Sequence, residues 1–248
     1  VGHLDDRHPL TPGWKIILQV PLALFLVLSI PRDDWVHQGF SWVLLQVAWI
    51  VVMTNAYNII DVADGLLASL AIPLLSVIGG VLLLSGNPHV GFVAFSFAGA
   101  TLGFLLFNAA PGKQMLGDTG SLPLGGLLSV LALLFPGANS PVLGVGCVVL
   151  MTGVVLFEVA WVSVQRLSRG IPPWRGSPHH FVYWILNRGV KAGLAVPLLA
   201  VVQLILIVPV AVMMQTTQWL IPPLAGLGIL LVKPLIRRGQ PRVPGNGA

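Results

Sequence analysis

Long apolar stretches at positions 14–30, 40–54, 66–85, 90–107, 122–135, 142–164, 194–213 and 219–232 constrain this chain more than any other feature. Several approach the roughly 20 residues that an α-helix needs to cross a bilayer. Only 8% of residues are charged and the mean hydropathy is +0.90, against roughly 25% charged in an average soluble domain. The only structures that leave so much apolar sequence with satisfied backbone groups are helices in lipid or closed barrels, and the uninterrupted runs lack the period-two alternation of a barrel strand. The sequence therefore predicts an all-α polytopic transmembrane helical bundle of roughly eight spans.

No internal repeat or composition shift marks a soluble domain, so residues 1–238 read as one membrane-embedded domain, followed by a Pro/Gly-rich flexible tail at 239–248. The single cysteine, Cys147, lies inside an apolar run, which excludes an intrachain disulfide. The chain begins at Val1, shortly before a polar segment, and reads as a piece of a longer one.

Threading the eight spans alternately, with the Asp5 end cytoplasmic, puts Arg7, Lys15, Lys113, Arg166, Arg169, Arg175, Arg188, Lys191, Lys233, Arg237, Arg238 and Arg242 on the cytoplasmic side and leaves only Arg32 outside. That is the asymmetry expected of an inner-membrane protein. The net charge of +5 is thus explained by topology and anionic headgroups, without nucleic acid. Trp14, Trp35, Trp42, Trp174 and Trp219 fall near span ends, where indoles anchor at the interface.

Most of the acids sit in three short polar islands that this threading gathers at one membrane face. An acid at the centre of a membrane helix costs roughly 2.5–3.5 kcal/mol, so clustered acids without matching cations point to a metal. In the second island Asn55, Asn58, Asp61 and Asp64 recur every third residue. Three residues advance a helix by about 300°, so Asn55, Asn58 and Asp61 share a stripe facing a polar cleft. Amide and carboxylate oxygens suit Mg²⁺, which also bridges to phosphates. The plainer reading makes the asparagines interhelical hydrogen-bonding groups and the aspartates solvated caps. Gly65 permits a turn or a close approach before the next span.

The third island, Leu116-Gly-Asp-Thr-Gly-Ser, opens a helix and offers backbone N–H groups and a positive dipole end to a phosphate, with Asp118 able to hold a metal and Lys113 to add a charge. An ordinary capped helix start, with Asp118 or Ser121 as cap, explains the same residues. In the first island Asp5 and Asp6 are adjacent, so on a helix they point about 100° apart and need not share a ligand. The segment from Gln165 to Lys191 adds Arg166, Arg169, Arg175, His179 and His180, donors suited to a diphosphate. Glu158, near the cytoplasmic end of its span, stands ready either to pair with Arg166 or another cation or to support the end of that helix.

Together, Leu4-Asp-Asp-Arg-His-Pro-Leu-Thr-Pro, Asn55-Ala-Tyr-Asn-Ile-Ile-Asp-Val-Ala-Asp-Gly-Leu and Leu116-Gly-Asp-Thr-Gly-Ser-Leu resemble the polyprenyl-phosphate N-acetylhexosamine-1-phosphate transferases, glycosyltransferase family 4, over nearly the whole stretch from Asp5 to Arg188. The resemblance implies a phosphoglycosyl transferase that moves a sugar-1-phosphate from a UDP-N-acetylhexosamine to polyprenyl phosphate, releasing UMP, in cell-wall or surface-polysaccharide synthesis. It further implies Mg²⁺, with Mn²⁺ as a substitute, a multi-pass location in the cytoplasmic membrane with the site facing the cytoplasm, and the option of a homodimer. Its motifs assign catalysis to Asp5, Asp6 and Asp118, the metal to Asp118 and Asp61, and substrate binding to Asn55, Asn58, Asp61, Asp64, Lys113, Arg166, His179 and His180.

The opening motif and the loop around His179 are nearer to the GlcNAc-1-phosphate branch than to the muramoyl-pentapeptide branch. Val62 departs from the family pattern, which has Gly there, and Tyr183 and Trp184 stand where a further basic residue is common. The family's N-terminal spans and basic first cytoplasmic loop are absent from this sequence. A noncatalytic remnant and an ion-coupled transporter are the readings from other classes. The transporter reading requires acids near the bilayer midplane, whereas the threading leaves them at one face.

Overall fold

The computed structural model of the chain describes residues 1–8, 10–30, 35–109, 111–135, 141–214 and 221–238. Arg32, Arg242, Trp219 and the 239–248 tail lie outside the described residues, as do the side chains of Trp35, Arg237 and Arg238.

Every described element is an α-helix: α1 (Gly2–Arg7), α2 (Pro12–Ser29), α3 (Trp35–Ile59), α4 (Leu66–Leu84), α5 (Pro88–Asn108), α6 (Gly117–Leu133), α7 (Pro141–Met151), α8 (Gly153–Leu167), α9 (Phe181–Leu186), α10 (Ala192–Met213) and α11 (Ile221–Arg238). All eight expected apolar segments are helical. Among the described residues, however, five helices are long and apolar enough to cross a membrane, or six if the bent pair α7 and α8 forms one span. The shortfall has a physical cause. With 17 residues, α6 is about 26 Å long, short of a hydrocarbon core of about 30 Å, and its first turn carries Asp118. The last turns of α11 carry Lys233, Arg237 and Arg238.

Helix α4 is the centre of the bundle, with 94% of its span buried. It packs mainly on α5 and also on α6, α10 and α11. Lipid is as apolar as leucine, so this burial gains little from solvent exclusion; close packing and satisfied polar groups decide it. Gly79, Gly91, Ala94 and Ala98 keep the α4–α5 seam thin. The hydroxyls of Ser69 and Ser76 on α4 donate back to the carbonyls of Leu66 and Ile72, both at 2.8 Å, so the helix presents no unmet donor.

The stretch expected as one span at 142–164 breaks at Thr152, where α7 and α8 meet at 66°. Such a break frees a carbonyl, which in lipid must find another donor. Here the side-chain amide of Gln203 on α10, 1% exposed, donates to the Met151 carbonyl. The Thr152 hydroxyl donates to Val148 O at 2.7 Å. The bend re-aims α8, and with it Glu158 and Arg166, away from the α7 axis.

Candidate functional site

The site forms where α1, α2 and α3 meet the start of α6. On α2, Gln19, Ala23 and Val27 recur every four residues and are buried; Lys15 begins the same stripe one turn earlier. Its Nζ lies 2.6 Å from Asp5 Oδ2 and 2.7 Å from Asp118 Oδ2. From α3, the Asn58 amide donates at 2.8 Å to Asp118 Oδ1 and at 2.8 Å to Ser121 Oγ. The Asp118 carboxylate is therefore gripped on one oxygen by an ammonium and on the other by an amide. Asp5 Oδ1 accepts the Leu10 N–H at 2.7 Å. Burial pushes the Asp5 carboxyl up, but the Lys15 hydrogen bond, contact with Asp118, the Leu10 N–H and the Lys15 charge outweigh it and hold it below the ordinary carboxylate value.

Asp6 turns the other way. Its Oδ1 accepts the Asp118 N–H at 3.1 Å and its Oδ2 accepts the Thr119 N–H at 2.9 Å, together with the Thr119 hydroxyl. These bonds, the Thr119 hydroxyl first, hold the Asp6 carboxyl below its ordinary value. The opening of α6 was expected to offer free N–H groups to a phosphate, or to cap itself through Asp118 or Ser121. Instead those of residues 118 and 119 are already taken by Asp6. The Ser121 hydroxyl turns back to Gly117 O at 2.9 Å.

The stripe expected on α3 divides between two neighbours. Asn55 faces α2, its amide donating to Gln19 Oε1 at 2.5 Å and to Val51 O at 2.7 Å. Asn58 faces α6. Because α3 ends at Ile59, Asp61 lies in the turn beyond it rather than on the helix. Burial, with the Asp118 charge second, pushes the Asp61 carboxyl up to about 6, and no cation offsets either effect. Asp64 Oδ2 accepts the Gly112 N–H at 2.7 Å, which ties this turn to the α5–α6 loop. Gly65 follows in the left-handed region at φ +80°, and its N–H donates to Asn108 Oδ1 at 2.9 Å. Asn108, 5% exposed, also donates to Gln114 O at 2.8 Å, so one buried amide holds both loops of the site.

The remaining expected residues lie apart from this carboxylate cluster in the hydrogen-bond network of the described residues. Lys113 is exposed on the α5–α6 loop. Arg166 is 3% exposed, its guanidinium donating to Ser177 Oγ at 2.9 Å and Pro173 O at 2.5 Å; it braces the loop between α8 and α9. Glu158 accepts the Phe181 N–H on both oxygens at 3.1 Å and stands 3.5 Å from His180 Nδ1. It thus caps the start of α9, with His180 beside it, rather than pairing with Arg166 or supporting the end of its own helix. His179 Nδ1 is buried without a hydrogen-bond partner. The Tyr183 hydroxyl donates to Val62 O, joining α9 to the Asp61–Asp64 turn. Val62 thus offers its carbonyl to a tyrosine of α9.

Beside the cluster a cavity of about 330 Å³ runs between α2, α3 and α6. Gly2, Gln19 and Thr54 line it near the carboxylates, and Leu22, Leu26 and Val130 line it further into the membrane zone.

The donor set can be weighed against a divalent cation. Among the described residues no three His, Cys, Asp or Glu side chains converge into a metal site of their own. Mg²⁺ characteristically needs only one or two carboxylates beside phosphates and water. Asp118 and Asp61 are carboxylates of this kind, and the Asp118 charge adds to burial in raising Asp61, so the two interact electrostatically. The residues fit the ion.

Sequence reasoning counted Lys15 only among the cytoplasmic cations and passed over Gln19 and Asn108. The signal for the first two was present: a Lys and a Gln four residues apart in an otherwise apolar helix. Asn108 gave no comparable signal.

The family model of glycosyl transferase family 4 matches residues 1–136. A probable undecaprenyl-phosphate N-acetylglucosaminyl 1-phosphate transferase of Bacillus subtilis (strain 168) is 29% identical over 229 residues, covering 89% of this chain and 64% of the relative. A phospho-N-acetylmuramoyl-pentapeptide-transferase of Geobacillus sp. (strain WCH70) is 36% identical over 210 residues, 75% of this chain and 63% of that protein. Another phospho-N-acetylmuramoyl-pentapeptide-transferase, of Streptococcus pneumoniae (strain Taiwan19F-14), is 30% identical over 204 residues, 73% of this chain and 60% of that protein. The chain spans less than two thirds of the length of each of these relatives.

Proposed function

The chain belongs to glycosyl transferase family 4, and from that premise we propose that it transfers N-acetylglucosamine-1-phosphate from UDP-N-acetylglucosamine to polyprenyl phosphate, at the cytoplasmic face of the cytoplasmic membrane. The observation that carries this reading is the Lys15 bridge between Asp5 and Asp118, set beside an apolar cavity. A polar centre at the mouth of a membrane cavity suits a substrate with a charged head and a hydrocarbon tail.

In the reaction an oxygen of the lipid phosphate attacks the sugar-bearing phosphorus, the bond to the bridging oxygen breaks, and UMP leaves with that oxygen. A phosphate monoester has a second pKa of about 6, so the acceptor arrives at pH 7 largely ionised and needs orientation more than a base. Lys15 supplies a cationic donor for it, held in place by Asp5. Asp118 and Asp61 would hold the cation, Asn58 fixes the Asp118 carboxylate, and the Asp61–Asp64 turn with Tyr183 forms a wall for the nucleotide. Arg166 and His180 keep the α8–α9 loop in shape, leaving His179 and Lys113 to approach the donor. A bound Mg²⁺ would neutralise the diphosphate and the leaving phosphate, which is the main electrostatic requirement of phosphoryl transfer.

The test is UMP release by the full chain in membranes from UDP-N-acetylglucosamine, with polyprenyl phosphate and Mg²⁺ each supplied and withheld. Release that needs both supports the proposal, and chelation with EDTA is expected to abolish it. Release only from UDP-N-acetylmuramoyl-pentapeptide would move the chain to the branch of the Geobacillus relative, which is the more identical over its matched region. No release from either donor by folded protein would overturn the transferase reading.

A further inference from the structure

Two adjacent acids on one short helix point about 100° apart, and here they meet different atoms of the site. Asp5 meets Lys15 and the Leu10 N–H, while both oxygens of Asp6 are spent on residues 118 and 119. We propose that Asp6 is a positioning residue: it caps α6 from outside the helix and so fixes the Asp118 carboxylate between Lys15 and Asn58. The inference rests on the transferase reading above for the reaction it serves.

Three observations carry it. First, α6 has no cap of its own, because its N-cap position is Leu116 and no side chain there satisfies the first N–H groups. Free N–H groups at a helix start need a partner, and a carboxylate is a favoured one because it also meets the positive end of the dipole. Second, α1 lies directly on the start of α6. A Cβ at Gly2 would stand 2.0 Å from the Asp118 carbonyl oxygen and 2.8 Å from the Thr119 nitrogen, so the contact has no slack and only glycine permits it. Third, the residue whose N–H Asp6 accepts is the one whose side chain bridges Lys15 and Asn58. Anchoring the backbone of Asp118 leaves its carboxylate little freedom to leave the site.

The experiment is a titration of the full chain in lipid nanodiscs with Mn²⁺, following the free ion by electron paramagnetic resonance, beside steady-state kinetics. Outer residues that hold a metal ligand typically change affinity or activity by 10–100-fold, so Asp6→Asn is expected to weaken Mn²⁺ roughly tenfold and lower kcat roughly 30-fold, with KM for the UDP-sugar within about twofold. Thr119→Val keeps the charge at Asp6 and removes one of its donors. It is expected to shift Mn²⁺ affinity and kcat in the same direction by about threefold, and it provides the test should Asp6→Asn fail to fold. Loss of turnover with unchanged Mn²⁺ affinity would make Asp6 a direct participant and overturn the inference. So would wild-type protein that binds no Mn²⁺. Wild-type protein that binds Mn²⁺ more tightly than Asp6→Asn yet releases no UMP would support the Asp6–Asp118 coupling and sink the transferase reading, so the two failures are distinguishable.

Discussion

On the proposed function, loss of Lys15 would turn a working cleft into a merely charged one. The Lys15 ammonium is the group on which Asp5 and Asp118 converge, and without it two carboxylates repel each other and the incoming phosphate. Removing one preorganised donor of this kind typically costs about 10²–10³ in kcat, and Lys15→Met is expected to fall in that range. Lys15→Arg should restore only part of it, because a planar guanidinium cannot occupy the same point between two oxygens. Comparison of kcat for the three proteins checks this. Asp61 makes a separate prediction with opposite signs for stability and turnover. With its carboxyl raised to about 6, the native state without a divalent cation binds the proton more tightly than the unfolded chain does. That stabilisation is present at about pH 4 and is lost as pH rises through about 6. Turnover instead needs the ionised form, so at sub-saturating Mg²⁺, where the proton and the cation compete for Asp61, it is expected to fall as pH drops below about 6. Asp61→Asn should flatten the thermal-unfolding profile between about pH 4 and 6 while depressing turnover at all pH. A stability profile with the same slope in both proteins would contradict the assignment. Asp5 and Asp6, both lowered, contribute stability that is present above the ordinary carboxylate value and lost only as pH falls below it.

At the scale of elements, apolar run length made each of the eight expected segments legible as helix, because a membrane helix must satisfy its own backbone. The break between α7 and α8 was not legible. Thr152 and Gly153 are compatible with continuous helix, and they become a bend only where Gln203, some fifty residues later, supplies a donor to the Met151 carbonyl. The end of α3 at Ile59 was hidden for a related reason: the three-residue spacing of polar groups continues through Asp61 although the helix does not. Gln203→Leu should leave that carbonyl unpaired and cost about 1–3 kcal/mol of stability. It should also lower turnover, since α8 carries the residues that brace the α8–α9 loop. A thermal midpoint and a turnover number both unchanged in Gln203→Leu would show that the bend stands without it.

For the whole molecule, three acidic islands distant in sequence are brought together by helix packing, α1 on α6, α3 on α6 and α2 on α3, and by the loop ties of Asn108 and Asp64. That convergence was readable in outline from the motifs and from the threading of charges. The internal division of labour was not, because it depends on which face each helix turns to its neighbours: Asn55 toward α2 and Asn58 toward α6, Asp5 toward Lys15 and Asp6 toward Thr119. Nor did motif spacing reveal that Arg166 and Glu158 spend their polar atoms on the loop and on α9. On the proposed function the Asp118 carboxylate, held by Lys15 and Asn58, lies at the reaction centre of a sugar-phosphate transferase. The most direct measurement is UMP release from UDP-N-acetylglucosamine by wild-type and Asp118→Asn protein in membranes containing polyprenyl phosphate and Mg²⁺, with thermal unfolding recorded for both. Lipid-dependent release by the wild type and a loss of at least about 10²-fold in a folded Asp118→Asn are expected. Near-normal Mg²⁺-dependent release by Asp118→Asn would contradict that role.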